Sequence, residues 1–194
     1  MSWREEYSRK LVSAEEAVSI VESGDRVVIP LAQQPRQLAK ALAARRSELQ
    51  GVSIAIYTAA DFDLDWFLSG DEVAFQVAIE GFIGVPERPL HDAGKVTYLP
   101  LPFSLSFKAV DERPEEAKPL DVVMITVSPP DKHGLVSLGH QPWSKRSYAR
   151  RARKLLAEVN PNLIRAYGDC FLPVSMFDRM VEVNPPSITR EELV

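Results

Sequence analysis

Cysteine is nearly missing from this chain of 194 residues, with Cys170 standing alone. That excludes an internal disulfide and a cysteine-based zinc cage, and gives no sign of an oxidising compartment. Long apolar runs are missing as well. No stretch approaches the roughly 18 uninterrupted apolar residues of a spanning helix, so no membrane partner is expected. Positive charge is not in surplus: the net charge of −4 argues against a globally basic nucleic-acid binder. The opening residues, MSWREEYSRK, are charged and lack an apolar signal core, so a cytoplasmic location is expected. Glycine is absent where a dinucleotide fold would need it. The stretch PLAQQPR, residues 30 to 36, follows the first apolar run without one, which disfavours a G-x-G-x-x-G loop and a Rossmann dehydrogenase.

What is present reads as an α/β chain. At 45% hydrophobic residues, residues 1–194 suffice for one substantial core and a single domain. Ser13 with Glu16 has the spacing of a capping box, and Ala14, Ala17, Val18 and Val21 follow at helical intervals before Gly24. Val27 to Ile29 reads as a buried strand. Leu38, Leu42, Arg45 and Leu49 mark a helix with Pro35 in its first turn, and Val52 to Tyr57 reads as a second strand. Strand, helix, strand at this spacing is a parallel βαβ unit, so an open, mostly parallel sheet with helices on both faces is expected. Further strands are expected over 72–79, 95–99, 155–159 and 180–183, with a short helix over 86–93 and a short turn or helix over 174–179.

The most informative stretch is 120 to 139, LDVVMITVSPPDKHGLVSLG. Its β-branched run reads as a strand covered on both faces. Pro129, Pro130, Asp131 and Gly134 then force a tight loop before a shorter strand, Leu135 to Leu138. In open α/β sheets ligands bind beyond the carboxyl ends of the strands, which makes residues 128 to 134 the leading site candidate. Glu80 is the second candidate: a carboxylate ending an apolar run and followed by Gly81 and Gly84. Strand-end acids are often just solvated, and spacing alone favours that reading.

Other signals have plainer readings. Asp61, Asp63 and Asp65 alternate, but neither the glycine nor the final glutamate of a calcium loop follows, so a solvated helix start is favoured. His133 and His140 match no zinc spacing, and no metal is expected. The basic run SKRSYARRARK, with six basic residues between Lys145 and Lys154, fits a helix that turns Tyr148, Ala149 and Ala152 to the sheet and its arginines outward; a phosphate contact is the sharper alternative. Cys170 reads as structural.

Several motifs together resemble a known family. SPPDKHGLVSLG at 128 to 139, AEVNP at 157 to 161, RAYGD at 165 to 169 and the opening KLVSAEEAVSIVESGDRVV are similar to the amino-terminal half of the acetyl-CoA hydrolase and 4-hydroxybutyrate (acetate) CoA-transferase family, the class I CoA-transferases. Phe82, Ile83, Gly84, Arg88, Gly94 and Pro100 fall at matching spacings.

The resemblance implies a class I CoA-transferase-like fold. The implied substrates are a coenzyme A thioester and a small carboxylic acid, with no tightly bound cofactor. It also implies nucleophilic catalysis by a glutamate, through a glutamyl-CoA thioester. The substrate wall is then expected along Gln33, Gln34, Gly84, Ser128, Pro130, Asp131, His133 and Gly134. The chain departs from the family in two ways. The nucleophilic glutamate of full-length members belongs to their second half, and the glycine-rich loop after the first strand is here PLAQQPR. Three readings follow. The first-ranked is a subunit whose partner brings the glutamate; the others are a stand-alone homologue using Glu80, and a non-catalytic acyl-CoA-binding or assembly protein. A homodimer, or a heteromer with a second CoA-transferase-like chain, is expected.

Overall fold

Val122–Val127 (β5) is buried at all six positions, as a β-branched run with cover on both faces should be. The computed structural model describes residues 2–57, 63–70, 74–102, 105, 112, 113, 115 and 117–184. Around β5 lies a seven-stranded sheet in which every pairing is parallel. Its strands are Arg26–Ile29 (β1), Val52–Ile56 (β2), Phe75–Glu80 (β3), Thr97–Leu99 (β4), β5, Lys154–Val159 (β7) and Arg179–Glu182 (β9), in the order β4-β3-β2-β1-β5-β7-β9. The chain therefore builds outward from β1 in one direction, then returns and builds outward in the other. The order reverses between β1 and β5, where Val27 and Val28 pair with Val122 and Val123. A short antiparallel pair, Leu135–Ser137 (β6) with Phe171–Pro173 (β8), stands apart from the sheet.

Side-chain alternation divides the core between the two faces. Val27, Ile29, Ile54, Ile56, Ile79 and Met124 lie on one face, under Ala14–Val18 (α2), Arg36–Ala44 (α3) and Asp65–Leu68 (α4). Leu38 and Leu42 of α3 are fully buried there, each contributing about 1.5–3 kcal/mol of hydrophobic stabilisation. Val28, Tyr57, Val123, Ile125, Leu155 and Ala157 lie on the other face, packed with Tyr148 and Ala149 of Lys145–Arg151 (α6) and with Val136 and Leu172 of the small sheet. A fifth short helix, Arg88–Asp92 (α5), precedes β4.

The βαβ unit, β5, β7 and β9 lie where their apolar patterns place them, within a residue or two. Two elements go beyond the sequence reading. Trp3–Lys10 (α1) is a helix with a full capping box: the Ser2 hydroxyl accepts from Glu5 N–H, and the Glu5 carboxylate accepts from Ser2 N–H. Its composition had marked only the absence of a signal core. Strand β8 is three residues long and exists through its pairing with β6, so no local pattern announces it. The Asp61 expectation lies outside the described residues; Asp63 Oδ1 accepts the N–H of Asp65 at the start of α4. Most of the acidic stretch 111–116 also lies outside them. Among the described residues no helix is long and apolar enough to cross a membrane.

Candidate functional site

Beyond the carboxyl ends of β1 and β5, where the strand order reverses, an open α/β sheet leaves a crevice for ligands. The β1 side of this crevice is residues 30–35. Without glycine, the chain still takes left-handed backbone there, at Ala32 (φ 63) and Gln33 (φ 51). Each such non-glycine residue costs about 1–2 kcal/mol, so the conformation needs anchors.

One anchor is the Gln33 side chain. Its Oε1 accepts from Lys145 Nζ at 3.2 Å. Its Nε2 lies 2.7 Å from Nδ1 and 3.1 Å from Nε2 of His140. An ammonium only donates, so Lys145 fixes which end of the carboxamide faces inward and turns the NH2 to the imidazole. Gly139 makes room: a Cβ there would stand 2.6 Å from Gln33 Oε1, and its φ is 81. As expected, Tyr148 and Ala149 of the basic helix face the sheet and Arg150 and Arg151 are exposed, while Lys145 at its start is 1% exposed and donates to Gln33.

The second anchor lies at the start of α3. Pro35 occupies the N-cap and makes no side-chain hydrogen bond. Leu38 N–H instead donates at 2.7 Å to Oε1 of Glu158 on β7. Burial pushes the Glu158 carboxyl up to about 7, a rise moderated by the N–H groups of Leu38 and Gln37 and by the charge of Arg36. Gln34, between the two anchors, is buried.

The 128–134 loop is built as its residues suggest. Asp131 Oδ1 accepts from His133 N–H at 2.8 Å and Leu135 N–H at 3.0 Å. These backbone bonds, Leu135 first, hold its carboxyl below the usual range. Arg165 clamps the loop, with Nη1 donating to Ser128 Oγ and Pro129 O, and Nη2 to Asp131 Oδ2 and Leu135 O. Ser128 is fully buried, and its Oγ also accepts from Ser137 N–H. Gly134 lies under the Trp3 ring of α1, where a Cβ would stand 2.7 Å from Cγ. Pro130 is half-buried and His133 exposed. The polar groups of Ser128 and Asp131 are thus engaged in shaping the loop, and the chain's own first helix covers its tip. The loop reaches the crevice indirectly: Ser137 Oγ accepts from Gly139 N–H, and Gly139 packs on Gln33.

Glu80 ends β3 with its carboxylate 4% exposed and 2.6 Å from Arg26 Nη2. Arg26 spans the sheet face from the start of β1 and also donates to Pro119 O. Gly84 is close to Glu87, not to the crevice residues: a Cβ there would stand 2.5 Å from Glu87 Oε2, and Glu87 is 1% exposed. Of the residues singled out in the sequence, the crevice gathers Gln33, with Gln34 buried behind it. Glu80, Gly84 and the 128–134 loop lie in separate settings. His140, Lys145, Glu158 and Arg165 were missed as site residues. Glu158 and Arg165 stood inside the quoted motifs AEVNP and RAYGD, which was the available signal for them.

The family described as the acetyl-CoA hydrolase/transferase N-terminal domain matches residues 1–189. The chain belongs to this family. A 4-hydroxybutyrate coenzyme A transferase of Clostridium kluyveri is 34% identical over 187 residues, covering 96% of this chain and 42% of that protein. A butyryl-CoA:acetate CoA-transferase of Anaerostipes caccae is 30% identical, over 97% of this chain and 42% of that protein. RipA from Yersinia pestis superposes with a TM-score of 0.79 at 30% identity, over 97% of this chain and 45% of that one. A 4-hydroxybutyrate CoA-transferase from Porphyromonas gingivalis shares the fold, with a TM-score of 0.68 at 22% identity. The chain thus spans less than half the length of these relatives, and its α/β fold is CoA-transferase-like.

Proposed function

We propose that residues 1–194 form one domain of a CoA-transferase or acyl-CoA hydrolase, and that it binds the acyl-CoA and the carboxylic acid at the crevice between β1 and β5. The nucleophilic glutamate comes from a second CoA-transferase-like half, on a partner chain. The carrying observation is the convergence of Gln33, His140 and Lys145 at the strand-order reversal, in a chain of this family. An amide, an imidazole and a buried ammonium are the donors a carboxylate or a thioester carbonyl needs as negative charge gathers on its oxygen.

In this reading the partner's carboxylate attacks the thioester carbonyl, forming an acyl-glutamyl anhydride and releasing CoA thiolate. The thiolate then attacks the glutamyl carbonyl, giving glutamyl-CoA thioester and the free acid. An acceptor carboxylate reverses these steps, while water in its place gives hydrolysis. Phe82 and Val85 after β3, and Ile164 and Tyr167 after β7, are exposed at 52, 80, 62 and 95%. They lie at the carboxyl end of the sheet, the end a second half would cover.

A second reading, a non-catalytic acyl-CoA-binding or assembly protein, is favoured by the burial of Glu80 against Arg26. One experiment separates the two. The purified chain is incubated with acetyl-CoA and acetate, alone and with any CoA-transferase-like protein encoded beside it, and CoA release and exchange are followed. Turnover only with the partner is expected. No turnover in either case would favour the second reading, and turnover by the chain alone that Glu80→Ala abolishes would make Glu80 the nucleophile.

A further inference from the structure

We propose that Glu158 is the positioning residue of the crevice: from β7 its carboxylate holds the first turn of α3, and so holds the strained segment that presents Gln33. The proposal rests on the crevice being the acyl-CoA site. A helix start leaves N–H groups without intrahelical partners, and Pro35 brings no side-chain acceptor to them. The acceptor comes from 120 residues away. Helix α3 follows β1, whereas β7 lies on the far side of β5, so this one contact ties together the two sides of the strand-order reversal.

A serine or aspartate at position 35 would have capped the helix without burying a carboxylate. The arrangement found instead fixes the helix to the opposite side of the crevice. Immediately upstream, Ala32 and Gln33 keep left-handed backbone, which persists only where the surroundings over-determine it. Lys145 and His140 hold one end of that segment through the Gln33 carboxamide. Glu158 holds the other end.

The charged neighbour of Glu158 is Arg36, on α3 itself. Its register partners, Thr126 on β5 and Val181 on β9, carry no charge. With its carboxyl pushed up to about 7, the anchor changes charge across the neutral range, and Gln33 should register the change.

The test follows amide resonances of the isotopically labelled chain against pH. The Gln37 and Leu38 N–H signals are expected to titrate with a midpoint near 7, and the Gln33 carboxamide to follow them. Glu158→Gln keeps an acceptor but cannot ionise, so both titrations should vanish. Glu158→Ala should displace the Gln33 signals at every pH and weaken acetyl-CoA binding about fivefold, the scale of one lost helix cap. Should Glu158→Ala not fold, Glu158→Gln still decides. A Leu38 titration that Gln33 ignores would overturn the positioning role, as would a midpoint that survives in Glu158→Gln. If both titrations come out as expected and acetyl-CoA does not bind, the positioning role stands and the acyl-CoA reading falls.

Discussion

Two carboxylates, Glu80 and Glu158, are both nearly inaccessible, yet their burial is managed differently. Glu80 meets the guanidinium of Arg26, and removing one member of such a pair leaves an isolated charge, costing about 3–5 kcal/mol. Arg26→Met alone is therefore expected to lower the urea midpoint strongly, and Arg26→Met with Glu80→Leu to recover most of the loss. Glu158 has backbone N–H partners, and burial raises its carboxyl. Between the unfolded value near 4.5 and about 7 the folded chain holds the extra proton. Its contribution is thus complete below about 4.5 and is lost as pH rises through about 7, up to roughly 3 kcal/mol. Urea unfolding at pH 5 and pH 8 is expected to show this fall, and Glu158→Gln to flatten it. Sequence reading found Glu80 because strand ends are local features. It gave Glu158 no role because the capped helix lies 120 residues away.

Among the elements, β1, β2, β5 and β7 were legible because continuous β-branched and aliphatic runs bounded by turn residues have few other uses. The contacts that build the crevice were not. Lys145 opens a helix whose Arg150 and Arg151 are exposed, yet it is itself buried and donates to Gln33. Helix α1 looked like a charged terminus, but it packs Trp3 on Gly134 and sends Lys10 to the carbonyls of Val174 and Ser175. Gly134→Ala would set a Cβ against the Trp3 ring at positive φ. It is expected to destabilise by about 1–3 kcal/mol and to shift Trp3 fluorescence. Leu42→Ala, which empties the space beneath α3, should cost about 2–5 kcal/mol in thermal or urea unfolding.

At the scale of the molecule, the parallel sheet with helices on both faces was readable from the order of patterns along the chain. Its strand order was not, since periodicity says which segments are strands and nothing about which are neighbours. That order places β1 between β2, which follows it closely, and β5, which begins at residue 122. The β1–β2 pairing closes over about one helix, whereas the β1–β5 pairing closes over most of the first half of the chain. Loop-closure entropy makes the second the later and slower event. While the chain is being synthesised, β1 keeps one flank open as a template for pairing with other molecules until residues 122–127 emerge. A chain ended at residue 119 is expected to scatter light and aggregate where the longer chain stays clear. The crevice has no walls until that gap closes, so ligand binding must be among the last properties the folding chain acquires, after most of its secondary structure is in place.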